Sequence, residues 1–251
     1  MMLSSNATII ERLLAPLREA IAKTPKPPPA NDVDRLLALG VPRVLDHRHM
    51  PRSDSLKRGR PHGTRQIEKI GAIGWHQDGT GKLDEDHGLL LAVPAHAVVH
   101  RSGTISLLND IPAYMYHGDA MNRFSIGVEI VCREPGVAAR PSTLWLSKKE
   151  RAKGKDAMDV IAPMTEHQIW SSLALGRWYA AEVERRGGKL TQMWCHRQAV
   201  GDKPSDPGER IYRLVVAPLI AELGCQDVSG LAIGGGKRIP REWGANTTER
   251  Y

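Results

Sequence analysis

Between residues 67 and 223, short apolar stretches with strand character alternate with longer stretches of helical periodicity. Ile126, Val128 and Ile130, for example, recur at every second position, which is the period of a half-buried β-strand. Because predicted strands and helices interleave along the chain, we expect an α/β fold in which helices flank a mixed central β-sheet. The predicted strands are residues 67–75, 97–99, 104–107, 124–131 and 190–195, and the predicted helices are residues 165–186 and 209–223.

The segments on either side of this region are expected to be additions to the main domain. Residues 6–23 have helical periodicity, and the proline-rich stretch that follows them predicts a stiff linker. Residues 1–31 are therefore predicted to form an accessory N-terminal helix with its linker. We further predict a short helix at residues 32–39 and a loop at 47–66. The lead-in segment is predicted at 32–66, the main domain at 67–225 and a C-terminal tail at 226–251, with loose surface structure from Gly230 onwards.

The composition restricts the partners and the compartment. A formal net charge of +7 favours an anionic partner such as nucleic acid, anionic lipid or cell wall. The sequence carries no nucleic-acid-binding motif, so no nucleic-acid partner is expected.

We find neither a secretory signal pattern nor the run of roughly 20 apolar residues that a membrane-spanning helix needs, so we expect synthesis in the cytoplasm and no transmembrane segment. The three cysteines are predicted to be reduced, buried thiols. The sequence leaves the oligomeric state open.

Two histidines and one aspartate stand at positions that favour a reactive centre. His76 and His196 each follow a predicted strand, and Asp206 lies in a loop bounded by proline and glycine. Two imidazoles and one carboxylate suit a catalytic zinc ion, because three protein ligands leave a fourth position open. Ligands from separate strands obey no short spacing rule, so buried structural histidines are the alternative on spacing alone.

Five short motifs surround these residues, and they occur in the order found in one enzyme family. They are residues 70–77 (IGAIGWHQ), 95–105 (AHAVV, then SGTI), 116–118 (YHG), 122–130 (NRFSIGVEI) and 195–208 (CHR through SDPG). Together they resemble the zinc N-acetylmuramoyl-L-alanine amidases, which include the phage lysozyme-type amidases and the peptidoglycan recognition proteins. The resemblance covers about residues 67–223 and implies the amidase-like fold of that family.

The resemblance implies a metal centre with a general base. In the family's motifs, His76, His196 and Asp206 correspond to the Zn²⁺ ligands. Glu129 corresponds to an acidic residue that acts as general base or orients water, and a structural salt bridge is the alternative for this position. Gln77, directly after the first expected ligand, departs from the histidine or asparagine usual in the family.

The resemblance also implies contacts with the substrate. His96, His117 and Asn122 are expected to bind it. Pro204 stands where many catalytic members carry a lysine or threonine that steadies the developing oxyanion. Lys203 is the nearest cation, and we expect it to take that catalytic role; the alternative is a solvated loop lysine paired with the neighbouring aspartate.

The expected activity is zinc-dependent hydrolysis of the amide bond between N-acetylmuramic acid and L-alanine, in peptidoglycan or in soluble muropeptides. A non-catalytic peptidoglycan-binding module of the same fold is the alternative, and the presence of all three expected ligands favours the enzyme. Nucleic-acid binding is supported by the net charge alone. The protein would reach muropeptides in the cytoplasm directly, whereas it would reach the cell wall only by assisted release.

Overall fold

The computed structural model describes residues 31–52, 54–81, 83, 88–201, 203, 205–227 and 236–244. The helix predicted at residues 6–23 lies outside these ranges, as does nearly all of the accessory segment predicted at residues 1–31. No helix within the described ranges is long and apolar enough to cross a membrane.

Seven β-strands form a single sheet in the described part of the chain. They are β1 (Val44–Asp46), β2 (Ala72–Gln77), β3 (Ala97–Val99), β4 (Ile105–Leu107), β5 (Ser125–Ile130), β6 (Gln192–Cys195) and β7 (Gln226–Asp227). Their order across the sheet is β1-β4-β3-β5-β2-β6-β7. The strands from β3 to β7 in this order run parallel to one another. β4 runs antiparallel to β3 and parallel to β1, so the sheet is mixed, as predicted.

The α-helices lie between and after these strands. In the described residues they are α1 (Asp32–Ala38), α2 (Lys148–Ala152), α3 (Glu166–Arg185), α4 (His196–Ala199), α5 (Glu209–Ile211) and α6 (Ala217–Leu223). A π-helical turn, Tyr212–Val216, joins α5 to α6. Pro218 follows this turn, and its missing N–H removes one donor from the regular helical ladder. The helix predicted at residues 209–223 is therefore one helical segment with an irregular middle.

Side-chain caps start α1 and α3. Asn31 accepts a hydrogen bond from a first-turn N–H of α1. Thr165 and Gln168 form the predicted capping box of α3, in which each side chain bonds the other residue's backbone N–H. Ile169 and Leu173, from the predicted apolar stripe of α3, are buried.

The first predicted strand is displaced along the chain. The prediction of a strand at residues 67–75 is wrong at its start, because Ile67–Lys69 forms a 3₁₀ turn and β2 begins at Ala72. β2 finds its partner in β5 only from Ser125 onwards, and residues before Ala72 have no strand beside them. His76 consequently lies inside β2 rather than after it.

The lead-in and tail segments each contribute one strand to the same sheet. β1 pairs with β4 and β7 pairs with β6. Ile239 and Trp243 are 3% and 2% exposed, and the Trp243 ring lies 6.1 Å from that of Tyr212. The guanidinium of Arg197 lies over the Trp243 ring at 4.6 Å. The prediction of a loose tail is wrong for residues 236–244, because their apolar side chains are buried against the main domain.

The two faces of the sheet carry different side chains, because successive residues of a strand point to opposite faces. One face is apolar and packs in the main core together with side chains of α3 and α6. Its central members are Ile73, Trp75, Ile126, Val128 and Met193. The residues between them on the other face include Gly74, His76, Gly127, Glu129 and Trp194.

Two glycines in register make room for aromatic rings on this second face. Gly74 of β2 pairs with Gly127 of β5 on one side and with Trp194 of β6 on the other. A methyl group at Gly74 would lie 2.3 Å from the Trp194 indole, and one at Gly127 would lie 2.6 Å from the His117 ring. The glycines therefore allow an indole and an imidazole to lie directly against the sheet.

Replacing Gly74 by alanine should destabilise the protein. The added methyl group would overlap the buried indole of Trp194, and forced overpacking of this kind typically costs about 1–3 kcal/mol. Gly71→Ala is the matched control, because its nearest new neighbour is the Thr191 side chain at 3.7 Å; its effect should stay within about 1 kcal/mol. Urea unfolding of both variants measures the difference in their unfolding free energies. Equal stabilities would contradict the close contact described between Gly74 and Trp194.

Candidate metal centre

Ionisable side chains meet at the carboxyl-terminal edge of the central parallel strands. His76 of β2 pairs with Glu129 of β5. Cys195 of β6 pairs with Trp75, so the next residue, His196, leaves the strand beside His76. The carboxyl ends of parallel strands are where α/β sheets commonly bind ligands, because the loops that follow them converge there. The register thus assembles residues that are far apart in sequence.

His76, His196 and Asp206 form a cluster that could hold a metal ion. Their candidate ligand atoms all lie within 4.8 Å of one another. His196 Nδ1 is 2.8 Å from Asp206 Oδ2, whereas His76 Nδ1 is buried without a hydrogen-bond partner among the described residues. Buried polar atoms normally have partners, so a bare imidazole nitrogen beside a histidine–aspartate pair fits a bound cation. This donor set is also that of mononuclear zinc sites.

Asp206 is held in place by the residue that follows His76. The backbone N–H of Gln77 donates to Asp206 Oδ1 at 2.9 Å. The Gln77 side chain donates to the carbonyl oxygens of Ser205 at 2.6 Å and Glu134 at 3.2 Å, and accepts from the Glu134 N–H at 2.7 Å. Gln77 therefore ties the loop of Asp206 to β2. The sequence showed Gln77 only as a departure from the family, because its partners lie up to 129 positions away.

A further histidine, His117, lies behind His76. His117 Nδ1 is 3.1 Å from His76 Nε2, and His117 Nε2 is 3.2 Å from the carbonyl oxygen of Ser125. Its ring stacks on Trp194, with 5.6 Å between centroids and 28° between planes. Asn122 Oδ1 accepts the backbone N–H of His117 at 2.8 Å. His117 and Asn122 are only 5% and 4% exposed, and their contact with substrate stays a prediction.

His96 belongs to the core of the domain. It is fully buried, its Nδ1 accepts the Gly127 N–H at 2.9 Å, and its Nε2 is 3.0 Å from the Ala113 carbonyl oxygen. Backbone groups occupy both ring nitrogens. The substrate contact predicted for His96 stays a prediction; in this geometry its ring is fully buried and both ring nitrogens face backbone groups.

Arg65, which the sequence did not single out, joins three chain segments behind the site. Its guanidinium donates to the carbonyl oxygens of Ile111, Asn122 and Ser125 over 2.6–2.9 Å. One of its nitrogens lies 3.0 Å from His96 Nε2. Burial lowers the pKa of Arg65 to about 10, so the group still carries its charge at neutral pH. This buried cation disfavours a second positive charge on the imidazoles nearby.

Three buried imidazoles in and behind the site, those of His76, His96 and His117, are neutral at neutral pH. Burial lowers the pKa of His117 to about 3. Burial, followed by neighbouring imidazoles and the Lys203 ammonium, holds the pKa of His76 well below its usual range. Burial and then the charge of Arg65 do the same to the pKa of His96. The neutral imidazole is the form that binds metals and accepts hydrogen bonds.

Glu129 lies at the edge of the cluster with a partly buried side chain. Its Oε2 has no hydrogen-bond partner among the described residues. Burial, followed by the nearby charges of Asp206 and Asp78, raises the pKa of Glu129 well above its usual range, while Lys203 acts in the opposite direction. A carboxyl group whose pKa is raised in this way is better suited to accept a proton and to return it.

A small cleft of about 100 Å³ opens beside Asp206. Lys203 lines it, with its Nζ 3.7 Å from Asp206 Oδ2 and its side chain 40% exposed. Trp145, also 40% exposed, lines the same cleft, and its backbone N–H donates to Ser205 Oγ at 3.0 Å. Position 204, where the family resemblance breaks, lies outside the described residues. The cleft thus combines an aromatic wall with a cation next to the metal cluster.

No family model and no curated protein matches this sequence. Among solved structures, the chain is similar to the endolysin N-acetylmuramoyl-L-alanine amidase LysCS from Clostridium intestinale URNW, with 14% identity and a TM-score of 0.43 over 74% of this chain and 98% of that one. It is also similar to the N-acetylmuramoyl-L-alanine amidase LysC from Clostridium intestinale URNW, with 13% identity and a TM-score of 0.44 over 74% and 99% of the two chains. The Ph2119 endolysin from Thermus scotoductus MAT2119 bacteriophage Ph2119 matches at 13% identity and a TM-score of 0.40, over 73% of this chain and 100% of that one. Similarities of this size do not establish a shared activity.

The metal-free protein should lose stability in acid because of its buried histidines. Histidine in an unfolded chain titrates near pH 6.5, whereas the pKa of His96 in the folded protein lies well below this value. The unfolded state therefore binds more protons below about pH 6.5, so the stability present above that pH falls as the pH drops towards the folded pKa.

The variant His96→Asn tests this contribution, because it removes one titrating imidazole while keeping an acceptor for the Gly127 N–H. Between pH 6 and 4, the slope of the unfolding free energy against pH should decrease by up to about 1.4 kcal/mol per pH unit. Urea unfolding of chelator-treated protein over this range gives the slope. The same slope in both proteins would show that His96 protonates as easily in the folded state as in the unfolded chain.

Proposed function

We propose that this chain is a zinc-dependent hydrolase that cleaves the amide bond between N-acetylmuramic acid and L-alanine in peptidoglycan or muropeptides. The observation that supports this most is the convergence of His76, His196 and Asp206 beside Glu129 at one edge of the sheet. The five sequence motifs support the substrate class. The net charge of +7 suits an anionic polymer as partner.

In this proposal His76, His196 and Asp206 hold the zinc ion. When bound, zinc supplies a Lewis acid that polarises the scissile carbonyl group and lowers the pKa of water towards 7. Three protein ligands leave one position for water or substrate. Because the Gln77 N–H occupies Asp206 Oδ1, the other oxygen, Oδ2, is the one presented to the metal beside His196.

Glu129 moves the proton in this proposal. Its buried Oε2 takes a proton from the attacking water as the water oxygen bonds to the carbonyl carbon. Glu129 then returns that proton to the nitrogen of L-alanine as the carbon–nitrogen bond breaks. A raised pKa favours this double role, because it makes the protonated form of the carboxyl group easier to reach than in an exposed glutamate.

Lys203 stabilises the charge that develops on the carbonyl oxygen. Lys203 lines the cleft, and its ammonium lies 3.7 Å from Asp206 Oδ2, from where it can approach the carbonyl oxygen of a bound substrate. A donor aimed at the oxygen of the transition state lowers the barrier because the charge appears only there. His117 and Asn122 are proposed to shape the wall of the cleft from behind.

The activity is tested with purified sacculi and with soluble muropeptides, each with and without a chelator. We expect stem peptides with a free L-alanine amino terminus and glycan without peptide, both identified by mass, and one zinc per chain by elemental analysis. Chelation should abolish release, and added zinc should restore it. Binding to sacculi without any release of peptide would favour the non-catalytic module instead. The relative rates on the two substrates show whether intact wall or muropeptide is preferred.

Removing the charge of Glu129 should separate metal binding from catalysis. Glu129→Gln keeps the size of the side chain but loses the proton acceptor, so turnover should fall by about 10²–10⁴-fold while zinc content stays at the wild-type level. The same exchange at the exposed Glu184 of α3 is the control. Turnover within a few-fold of wild type would assign Glu129 a structural role.

Truncating Lys203 should lower turnover with the zinc intact. Loss of one donor to a developing oxyanion costs about 10²-fold or more in kcat, so Lys203→Ala should show a fall of this size. Lys189→Ala is the matched control, because Lys189 is exposed and precedes β6 at the opposite end of the strand. If only KM and its salt dependence change, Lys203 steers substrate by its charge rather than acting in catalysis.

A further inference from the structure

The hydrogen-bond partners of His117 decide which of its ring nitrogens carries hydrogen. His117 Nε2 is 3.2 Å from the Ser125 carbonyl oxygen, an atom that can only accept. Ser125 Oγ is also 3.2 Å from Nε2, but its own hydrogen goes to the Met121 carbonyl oxygen at 2.6 Å. Both oxygens therefore accept from the ring, and Nε2 is the donor. In a neutral imidazole, Nδ1 is then an acceptor.

This assignment determines the state of His76. His117 Nδ1 lies 3.1 Å from His76 Nε2, and because Nδ1 accepts, His76 Nε2 must donate. Hydrogen on Nε2 leaves His76 Nδ1 with a bare lone pair. That nitrogen is buried and has no hydrogen-bond partner among the described residues. The nitrogen of His76 left to bind a metal is therefore Nδ1.

Packing holds the His117 ring in the orientation that this chain of hydrogen bonds needs. One side of the ring stacks on Trp194 at 5.6 Å between centroids. The ring also lies so close to the sheet that a methyl group at Gly127 would be 2.6 Å from it. Asn122 anchors the backbone of His117 through its N–H at 2.8 Å. The acceptor of His76 is thus aligned before any metal binds.

We infer that His117 is a positioning residue that sets the tautomer of His76, so that Nδ1 offers its lone pair to the metal. This inference rests on the proposed zinc site. Metal-binding histidines commonly donate their second N–H to a carboxylate, a carbonyl group or water. Here a second imidazole is the acceptor, and Ser125 determines its orientation in turn. Loss of such an outer partner typically weakens metal binding by about 10–100-fold.

Two substitutions at His117 test this role. His117→Phe keeps a flat ring against Trp194 but offers no acceptor, whereas His117→Asn can place an oxygen near the position of Nδ1. In zinc-free wild-type protein, ¹⁵N NMR of the imidazoles should show hydrogen on His76 Nε2. The phenylalanine variant should lose this preference and bind zinc about 10–100-fold more weakly in competition with a chelator. The asparagine variant should recover most of the lost affinity.

A control variant and three contrary outcomes test whether His117 sets the tautomer of His76. Ser125→Ala removes one acceptor of His117 but leaves the backbone carbonyl, so zinc affinity should stay close to wild type. Hydrogen on His76 Nδ1 in the wild-type protein would overturn the inference. So would equal zinc affinities of His117→Phe and wild type, or an equal loss in the phenylalanine and asparagine variants, which would indicate packing alone. If His117→Phe fails to fold by near-UV circular dichroism, the wild-type spectrum and the asparagine variant decide.

These measurements use zinc alone and no cell-wall material. A protein that shows the expected tautomer and zinc affinities but releases no peptide from sacculi would overturn the proposed amidase activity and leave the role of His117 intact. Conversely, an active zinc amidase whose His76 carries hydrogen on Nδ1 would overturn the inference on His117 alone.

Discussion

The parallel pairing of β2 with β5 and β6 is the constraint on which the site depends. In this register Gly127, Gly74 and Trp194 form one row across the sheet, and Glu129 and His76 form the next row towards the carboxyl-terminal edge. A slip of one residue would send the side chains of a strand to the opposite face, because the period of a strand is two. The glycines leave room for the indole, which meets the His76 ring edge-on.

Burial of the side chains around these rows shifts the pKa values of the ionisable groups in the site. The desolvation that lowers the pKa of His76 and His117 also raises the pKa of Glu129, because in each case it disfavours the charged form. The result is a neutral His76, whose Nδ1 has no hydrogen-bond partner among the described residues, close to a Glu129 carboxyl group whose Oε2 likewise has none. A divalent cation held by His76, His196 and Asp206 would lower the cost of carrying negative charge on Asp206 and Glu129 at the same time.

Residues outside the expected ligand set determine how the ligands are presented. Gln77 occupies one oxygen of Asp206, so the other oxygen is directed towards the histidines. His117 occupies one nitrogen of His76 in the same way. Arg65 ties together the backbone that carries Ser125, the acceptor behind His117. Two of the three candidate ligands, His76 and Asp206, are thus oriented through their second polar atom, an arrangement that strengthens metal binding without additional ligands.

The sequence by itself determined the kinds of element and the kinds of ligand. Alternation identified β5 and the capping box at Thr165 identified α3, because both signals act over a few neighbouring residues. Residue type, strand ends and family motifs named His76, His196 and Asp206, which the structure brings within 4.8 Å of one another. Only the tertiary structure decided where β2 begins and that residues 236–244 pack against the main domain. It also decided that His96 is buried away from the cleft and that Gln77 holds the loop of Asp206. These features depend on strand pairing and burial between positions up to 129 residues apart, and no local pattern of residues encodes contacts of that range.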